Sequence, residues 1–201
     1  MDGFQRRKEQ KKRDILEAAL SLFMEYGLQK VSIAEIAKNA NVSQVTIYNY
    51  FESKHNLTHE VFLYYMDKAV RDFEQTVYSD KPFPEKIKEI MFRKKEVARR
   101  IHEEFYQYLM KEYTANETIA ENDYMQNALQ HFDHLFQEGK EQGYVDPSLS
   151  HEAIIFYIKM LNEYIQKEEV YEKILPLTED ITKLFFYGIM GEKKHRKHTP
   201  E

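Results

Sequence analysis

Six neighbouring side chains give this sequence its best-defined capacity to bind another molecule. Ile47 and Phe51 are spaced i and i+4, which places both on one face of a helix and turns their neighbours outward. The outward or flanking residues are Gln44, Val45, Thr46, Tyr48, Asn49 and Tyr50. Amides can pair with base edges, methyl groups can contact thymine and hydroxyls can reach phosphates. The set therefore indicates a surface that reads the DNA major groove.

Two short helices must hold that surface, and capping residues mark where each begins. Ser32 and Glu35 form a capping box, and the apolar residues that follow recur at helical spacing. Ser43 is the N-cap of the second helix. Asn41 lies in the turn between them, where we expect a positive φ because asparagine tolerates left-handed conformations. The pattern predicts a helix-turn-helix over residues 32–51.

The segment 31–54 resembles the DNA-binding signature of TetR-type transcriptional regulators, and Thr46 to Leu57 is close to its most specific part. Ile15 to Gly27 is similar to the family's first helix and its glycine stop. The resemblance covers roughly the first third of the chain. It implies an all-α protein of about nine helices, in which a three-helix DNA-binding domain precedes a helical domain for ligand binding and dimerisation. Asn41 departs from the family pattern, which usually has glycine in the turn.

The resemblance also assigns residues to the interface with DNA. In the family, positions matching this helix-turn-helix and the start of the next helix meet the duplex. The residues expected to bind DNA are Ser32, Gln44, Val45, Thr46, Tyr48, Asn49, Tyr50 and Lys54.

The amino-terminal end is basic although the whole chain is acidic. Residues 1–13 hold six Arg or Lys against two acidic residues, a local charge of +4, whereas the total of −5 leaves −9 for the remainder. A basic front end on an acidic body fits DNA binding at one end, with salt-dependent affinity for phosphates. A lone basic run without a neighbouring DNA-binding motif is more often a solvated tail.

Composition indicates an ordinary soluble globular protein. The 201 residues are 42% hydrophobic and 31% charged. The absence of cysteine excludes disulfides and thiolate metal sites, which suits a reducing compartment. No apolar run approaches the roughly 18 residues needed to span a bilayer. We therefore expect a cytoplasmic protein without a membrane partner.

Glycine, proline and capping residues predict the domain organisation. Predicted helix boundaries lie near Gly27, Ser53, Pro82 to Pro84, Arg99 to Arg100, Glu117, Gly139 to Pro147, Ser150 and Pro176. No segment alternates as a strand would. We expect a DNA-binding domain over 8–68, an effector-binding and dimerisation domain over 69–191, and a basic, disordered tail over 192–201.

The last two helices carry more apolar surface than a helix with one solvent-exposed face needs. Either both are deeply buried, or a second face meets another copy of the chain. The family resemblance implies the second alternative, a homodimer through a four-helix bundle. The residues expected at this interface are Phe156, Ile158, Leu161, Ile165, Leu177, Ile181, Leu184 and Phe185.

Aromatic and methionine side chains in the middle of the chain suggest a cavity for a planar or hydrophobic molecule. Any single one of them more often fills a core than contacts a ligand. The residues expected to line an effector pocket are Phe105, Leu109, Tyr113, Tyr124, Ala128, Phe156 and Met160.

Catalytic and metal-binding interpretations find little support. His131 and His134 are spaced i and i+3, but no further ligand pattern accompanies them. Glu103 and Glu104 fit a solvated helix face better than a catalytic pair, and neither a phosphate-binding glycine loop nor a serine elbow is present. We expect no catalytic residue, no cofactor and no metal.

The sequence therefore predicts a homodimeric DNA-binding regulator and not an enzyme. Its partners would be double-stranded DNA with a near-palindromic operator and a small hydrophobic or aromatic effector that releases a repressor from that operator. The alternatives are an activator, or an effector-independent DNA-binding dimer that acts through a partner.

Overall fold

The computed structural model describes residues 3–115, 124–165 and 167–189, and these residues are helical apart from short connections. The first six helices are α1 (Gly3–Tyr26), α2 (Ile33–Asn39), α3 (Gln44–Phe51), α4 (Lys54–Val77), α5 (Phe83–Arg100) and α6 (Glu103–Ala115). They are followed by α7 (Tyr124–Glu141), α8 (His151–Ile165), α9 (Glu168–Ile174), one 3-10 turn (Leu175–Leu177) and α10 (Thr178–Ile189). No strand occurs in these ranges, and the expected all-α class is confirmed.

The chain divides into two compact units. The first lies within Met1–Arg71 and Arg99–Tyr124, and the second within Asp72–Ala98 and Met125–Glu201. The expected DNA-binding domain, residues 8–68, lies within the first unit, which also takes in α6.

The core of the first unit joins α1 to α2, α3, α4 and α6. Its largest fully buried side chains include Phe23, Ile36, Ile47, Phe62 and Phe105. The rings of Phe23 and Phe105 lie 5.8 Å apart. Phe105 therefore fills this core, and α6 packs directly against the first helix.

Gly27 ends α1 as predicted, with a φ of 79°. A side chain here would be strained by that φ and would also collide with its neighbours, since a Cβ would lie 2.8 Å from Nδ1 of His102. The start of α1 was not foreseen. It lies at Gly3, twelve residues before the predicted Ile15, and the basic amino-terminal end is thus part of a helix.

The second unit has its own apolar core, built from α5, α7, α8 and α10 with the end of α4 and the loop after α7. Its fully or nearly fully buried members include Val77, Phe83, Leu135, Val145 and Phe186. A charged residue also lies inside: Lys86 is 3% exposed, and its Nζ lies 2.7 Å from both the Val77 carbonyl and Oε2 of Glu138.

Several predicted helix boundaries are confirmed. Ser53 caps α4 by accepting from the amide of Asn56 at 3.0 Å, and Ser150 caps α8 by accepting from Ala153 at 3.1 Å. The break near Arg100 separates α5 from α6. The helix ending between Gly139 and Pro147 does so at Glu141. The predicted start near Glu117 and the tail 192–201 lie outside the described residues.

None of the described helices is both long and apolar enough to cross a membrane.

Candidate nucleic-acid interface

The capping box fixes the first helix of the predicted motif. The Ser32 amide donates to Oε2 of Glu35 at 2.7 Å, and the Glu35 amide donates to Oγ of Ser32 at 3.2 Å. The hydrogen bond from the Ser32 backbone, aided by its hydroxyl, holds the pKa of Glu35 below its ordinary value. Ser32 remains exposed at the beginning of α2.

The turn between α2 and α3 has the predicted geometry. Asn41 has a φ of 52°, and the amide of Val42 donates a hydrogen bond to the Ala37 carbonyl at 2.9 Å. Ser43 then accepts from the amide of Thr46 at 3.0 Å and begins α3. Glu52, directly after α3, also has a positive φ, at 64°. The sequence held no glycine or asparagine there to signal it.

The face of α3 that was predicted to point outward does so. Ile47 and Phe51 are buried, at 1% and 3% exposure. Val45 is 66% exposed and Tyr48 47% exposed. Gln44 and Asn49 are exposed, whereas Thr46 and Tyr50 are half-buried. Two amides, one aliphatic and one aromatic side chain are therefore available to a molecule docked on this helix.

Besides Ser32, three more of the residues predicted to bind DNA make hydrogen bonds within the protein. The Thr46 hydroxyl lies 2.8 Å from that of Ser43. The Tyr50 hydroxyl donates to the Lys8 carbonyl at 3.2 Å. The Lys54 ammonium is half-buried and donates to the Leu28 carbonyl at 2.6 Å. Lys54 thus supports the loop between α1 and α2, with two of its three N–H donors left for other partners.

A second support of the same loop comes from α6. Oε2 of Glu104 accepts from the amides of Leu28 and Gln29, at 3.0 and 3.3 Å. The amide of His102 donates to the Met24 carbonyl at 2.8 Å, near the end of α1. The sequence suggested only a solvated face for Glu104. No short-range pattern could have revealed its role, because its partners lie 75 and 76 residues away.

The amino-terminal part of α1 adds basic residues beside α3. Phe4, Arg7, Lys8 and Lys11 face Asn49 and Tyr50 across an open cleft of about 410 Å³. The spacing of these four, at i, i+3, i+4 and i+7, is that of one helix face and could have been read from the sequence.

The residues expected to line an effector pocket are divided between the two units. Phe105 and Leu109 are buried in the first unit, where Tyr113 is half-buried. In the second unit Ala128 is half-buried, whereas Phe156 and Met160 are 69% and 45% exposed. The side chain of Tyr124 lies outside the described residues. The effector pocket stays a prediction.

The residues expected at a dimer interface fall into two groups. Ile158 and Phe185 belong to the core of the second unit, at 8% and 9% exposure, and Leu161, Ile165 and Ile181 are half-buried. The exposed group consists of Phe156, Leu177 and Leu184 at 69%, 51% and 71%, accompanied by Met160, Tyr164 and Tyr187. The exposed apolar side chains of this set therefore lie on α8, α10 and the 3-10 turn before α10.

His131 and His134 pack on an aromatic ring. Tyr78 stacks on His134 with ring centroids 4.6 Å apart, and its hydroxyl lies 3.4 Å from Nδ1 of His131. In the described part of the chain, no group of three His, Cys, Asp or Glu residues is placed to hold a metal ion.

Comparison with known proteins agrees with this geometry. Residues 15–61 match the family model described as bacterial regulatory proteins, tetR family. The uncharacterized HTH-type transcriptional regulator YhgD of Bacillus subtilis is 30% identical over 82 residues. That match covers 41% of this chain and 43% of YhgD, so the chain spans less than half of that relative.

Two solved structures share the fold over most of their length. The TetR transcription regulatory protein from Mycobacterium vanbaalenii superposes with a TM-score of 0.63 at 19% identity, over 93% of this chain and 99% of that one. A gamma-butyrolactone receptor described as ArpA-like gives a TM-score of 0.55 at 16% identity, over 92% and 91% of the two chains. The matching family model, together with the capped helix-turn-helix inside it, makes residues 15–61 of this chain similar to bacterial regulatory proteins of the tetR family, and the solved structures share its all-helical fold.

Proposed function

We propose that this protein is a DNA-binding transcriptional regulator that reads a near-palindromic operator with helix α3. The observation that carries the proposal is the outward face of α3, where Gln44, Val45 and Asn49 are exposed. On the opposite face of the helix, Ile47 and Phe51 are buried in the core of the first unit. An exposed helix of this composition suits the major groove, whose base edges present donors, acceptors and thymine methyl groups.

Within this interface the residues have different tasks. Gln44 and Asn49 carry amides that can pair with two atoms of one base, so they would read sequence. Tyr48 is 47% exposed and would meet a phosphate through its hydroxyl. Lys54 would meet a phosphate through the donors that Leu28 does not use.

The test begins with duplexes selected by the full chain from a random pool. Gln44→Ala should relax preference at one base position, with a loss of about 1 to 3 kcal/mol on the selected duplex only. Gln75→Ala is a matched control, since Gln75 is an exposed glutamine of α4 outside the helix-turn-helix. Equal losses for Gln44→Ala on selected and random DNA would contradict the assignment of a base contact.

The exposed apolar surface of the second unit supports a homodimer. Phe156, Met160 and Tyr164 recur at i, i+4 and i+8 on α8, and Leu184 and Tyr187 lie on α10. The two helices touch, because the rings of Tyr157 and Phe185 stack 5.7 Å apart. Contiguous apolar surface of this kind usually marks an interface. A two-fold dimer would also present two α3 helices to the half-sites of a palindrome, about 34 Å apart.

The structure sorts the variants that test the dimer. Phe156→Lys places a charge at a position that is 69% exposed, so the chain should stay folded and become monomeric. Ile158→Lys and Phe186→Lys place it inside the core, at 8% and 3% exposure, and should unfold the second unit. Light scattering separates the outcomes. A Phe156→Lys protein that remains dimeric, or a folded monomer that binds the operator as tightly as the parent, would refute the role of this surface.

Repression relieved by a small hydrophobic or aromatic effector is the form of regulation that we favour. The similarity to a gamma-butyrolactone receptor supports it, because that protein shares the fold over 92% of this chain. An effector can shift the protein away from its operator only by binding the two conformations with different affinities. A thermal-shift screen of small apolar molecules tests this, followed by release of the selected duplex. Stabilisation without release would favour an effector-independent dimer, and tighter binding would favour an activator.

A further inference from the structure

We infer that the amino-terminal turns of α1 and the recognition helix α3 together form a phosphate-binding cleft, which holds the DNA backbone beside the bases that α3 reads. This inference rests on the proposed function and adds to it a defined site outside the helix-turn-helix. The cleft is lined by Phe4, Arg7, Lys8, Lys11, Asn49 and Tyr50, and its volume is about 410 Å³.

The basic wall of the cleft is a single helix face. Arg7, Lys8 and Lys11 are exposed and occupy positions at i, i+1 and i+4 of α1, so that their side chains project in similar directions. None of the three forms an ion pair with any described residue. Three cations held together without acidic partners repel one another, and an anion between them relieves that repulsion.

The helix that carries these cations is fixed to the first unit and is not a free tail. The Tyr50 hydroxyl donates to the Lys8 carbonyl at 3.2 Å, which joins the amino-terminal turns of α1 directly to α3. One residue past the cleft, Lys12 pairs with Glu60 at 2.9 Å and lies 5.8 Å from the Phe51 ring centroid. The cations are therefore held in place before any ligand arrives, which lowers the conformational entropy lost on binding.

The position of the cleft selects its occupant. Asn49 and Tyr50, which form its second wall, belong to the helix that would lie in the major groove. A strand that borders that groove must pass next to α3, so its phosphates are the anions brought to this cleft by docking. A free phosphorylated small molecule shares the same chemistry, but it would leave Asn49 and its neighbours on α3 without a role.

The test compares two double variants with equal loss of charge. Arg7→Gln with Lys11→Gln removes cations from the cleft, and Arg6→Gln with Arg13→Gln removes cations that lie on the opposite face of the same helix. Both proteins are titrated against a selected duplex trimmed to its core and against the same duplex extended by several base pairs at each end. Binding is measured over a range of salt concentrations, and circular dichroism checks that each variant keeps its helices.

On the extended duplex, the cleft variant should lower the slope of log Kobs against log salt by about 0.9 for each phosphate that is no longer neutralised, or about 1.8 per chain. The control variant should lower it by less than half as much. Because the cleft lies beside the bases that α3 reads, the same difference should appear on the trimmed duplex. Equal slopes for the two variants on the extended duplex would overturn the cleft while leaving the proposed function intact.

The parent protein and a free anion complete the design. If the parent selects no duplex at all, both the proposed function and the cleft are refuted. Inorganic pyrophosphate, titrated without DNA, should bind only weakly and with little dependence on Arg7 and Lys11. If it instead binds tightly and the cleft variant binds the extended duplex like the control, the cleft is a site for a free anion and the inference is wrong.

Discussion

A double-mutant cycle on the buried ion pair of the second unit tests how that unit is stabilised. Lys86 lies at the first turn of α5, and its side chain is 4% exposed, against 19% for Glu138. Nζ of Lys86 lies 2.7 Å from Oε2 of Glu138 and 2.7 Å from the Val77 carbonyl. Glu138 also accepts from Nε2 of Gln142 at 2.8 Å. The charge on Lys86 is therefore matched by one carboxylate, which a single substitution removes.

The two single variants should differ strongly. Glu138→Leu leaves a buried ammonium with one carbonyl for a partner, and losing one member of a buried pair typically costs about 3 to 5 kcal/mol. Because Glu138 is partly exposed and the Val77 carbonyl remains, we expect about 2 to 3 kcal/mol. Lys86→Met leaves a carboxylate that water and Gln142 still reach, so we expect about 1 kcal/mol. The double variant should resemble Lys86→Met, which makes the coupling about 2 to 3 kcal/mol.

Urea unfolding followed by circular dichroism measures these differences, at one fixed protein concentration because a dimer's stability depends on it. The exposed pair Arg71 and Asp67, at 54% and 51% exposure and 3.9 Å, provides the control cycle. Its coupling should be well below 1 kcal/mol. Additive losses for Lys86→Met and Glu138→Leu, or a double variant less stable than both singles, would refute the role of this pair.

Three other perturbations have defined outcomes. Asn41→Val should lower the free energy of unfolding by about 1 to 2 kcal/mol and Asn41→Gly should not, because only the β-branched residue resists a φ of 52°; chemical denaturation decides, and equal stabilities would contradict the strain. Glu104→Gln should weaken two hydrogen bonds to the α1–α2 loop, destabilise the first unit by about 1 to 2 kcal/mol and raise amide exchange there, whereas protection equal to the parent's would show that the carboxylate is dispensable. Hydrogen bonds from Lys183, which has the larger effect, and from Lys95 lower the pKa of Glu179 to about 2. The stability that these hydrogen bonds give is therefore present above the ordinary pKa of a glutamate and is lost as pH falls toward 2. Glu179→Gln should flatten that part of the acid unfolding curve, and an unchanged curve would exclude this contribution.

The helix-turn-helix could be predicted because every signal that specifies it is local. Ser32 and Glu35 are three residues apart, Ser43 is next to the helix that it caps, and Asn41 stands in the one turn that needs its φ. Periodicity then decides which side of α3 is buried, as the burial of Ile47 confirms. Hydrogen bonds and steric fit within one or two helical turns do not depend on how the rest of the chain folds.

Features that depend on distant partners were not predictable in the same way. The aromatic residue Phe105 could line a cavity or fill a core, and only the position of Phe23 decides between them. The last helices had too much apolar surface, but the sequence could not tell the buried Phe185 from the exposed Leu184 beside it. Helical spacing defines a stripe to within about one residue, whereas its orientation depends on the neighbouring helices.

The position of helix α3 depends on contacts outside the helix-turn-helix. The loop after α1 is held at its Leu28 carbonyl by Lys54 of α4 and at its amides by Glu104 of α6. Both supports act on the same short segment, which directly precedes α2. An alternative is that an effector acts on α3 through α4 alone. In that case, breaking the hydrogen bonds between Glu104 and the loop would leave operator binding unchanged. Because Glu104 belongs to the same compact unit as α1 and α3, a displacement of α6 must either carry the loop with it or break two hydrogen bonds. Either result changes how firmly α2 and α3 are positioned, so under the proposed function we expect an effector that displaces α6 to weaken operator binding even where α4 keeps its shape.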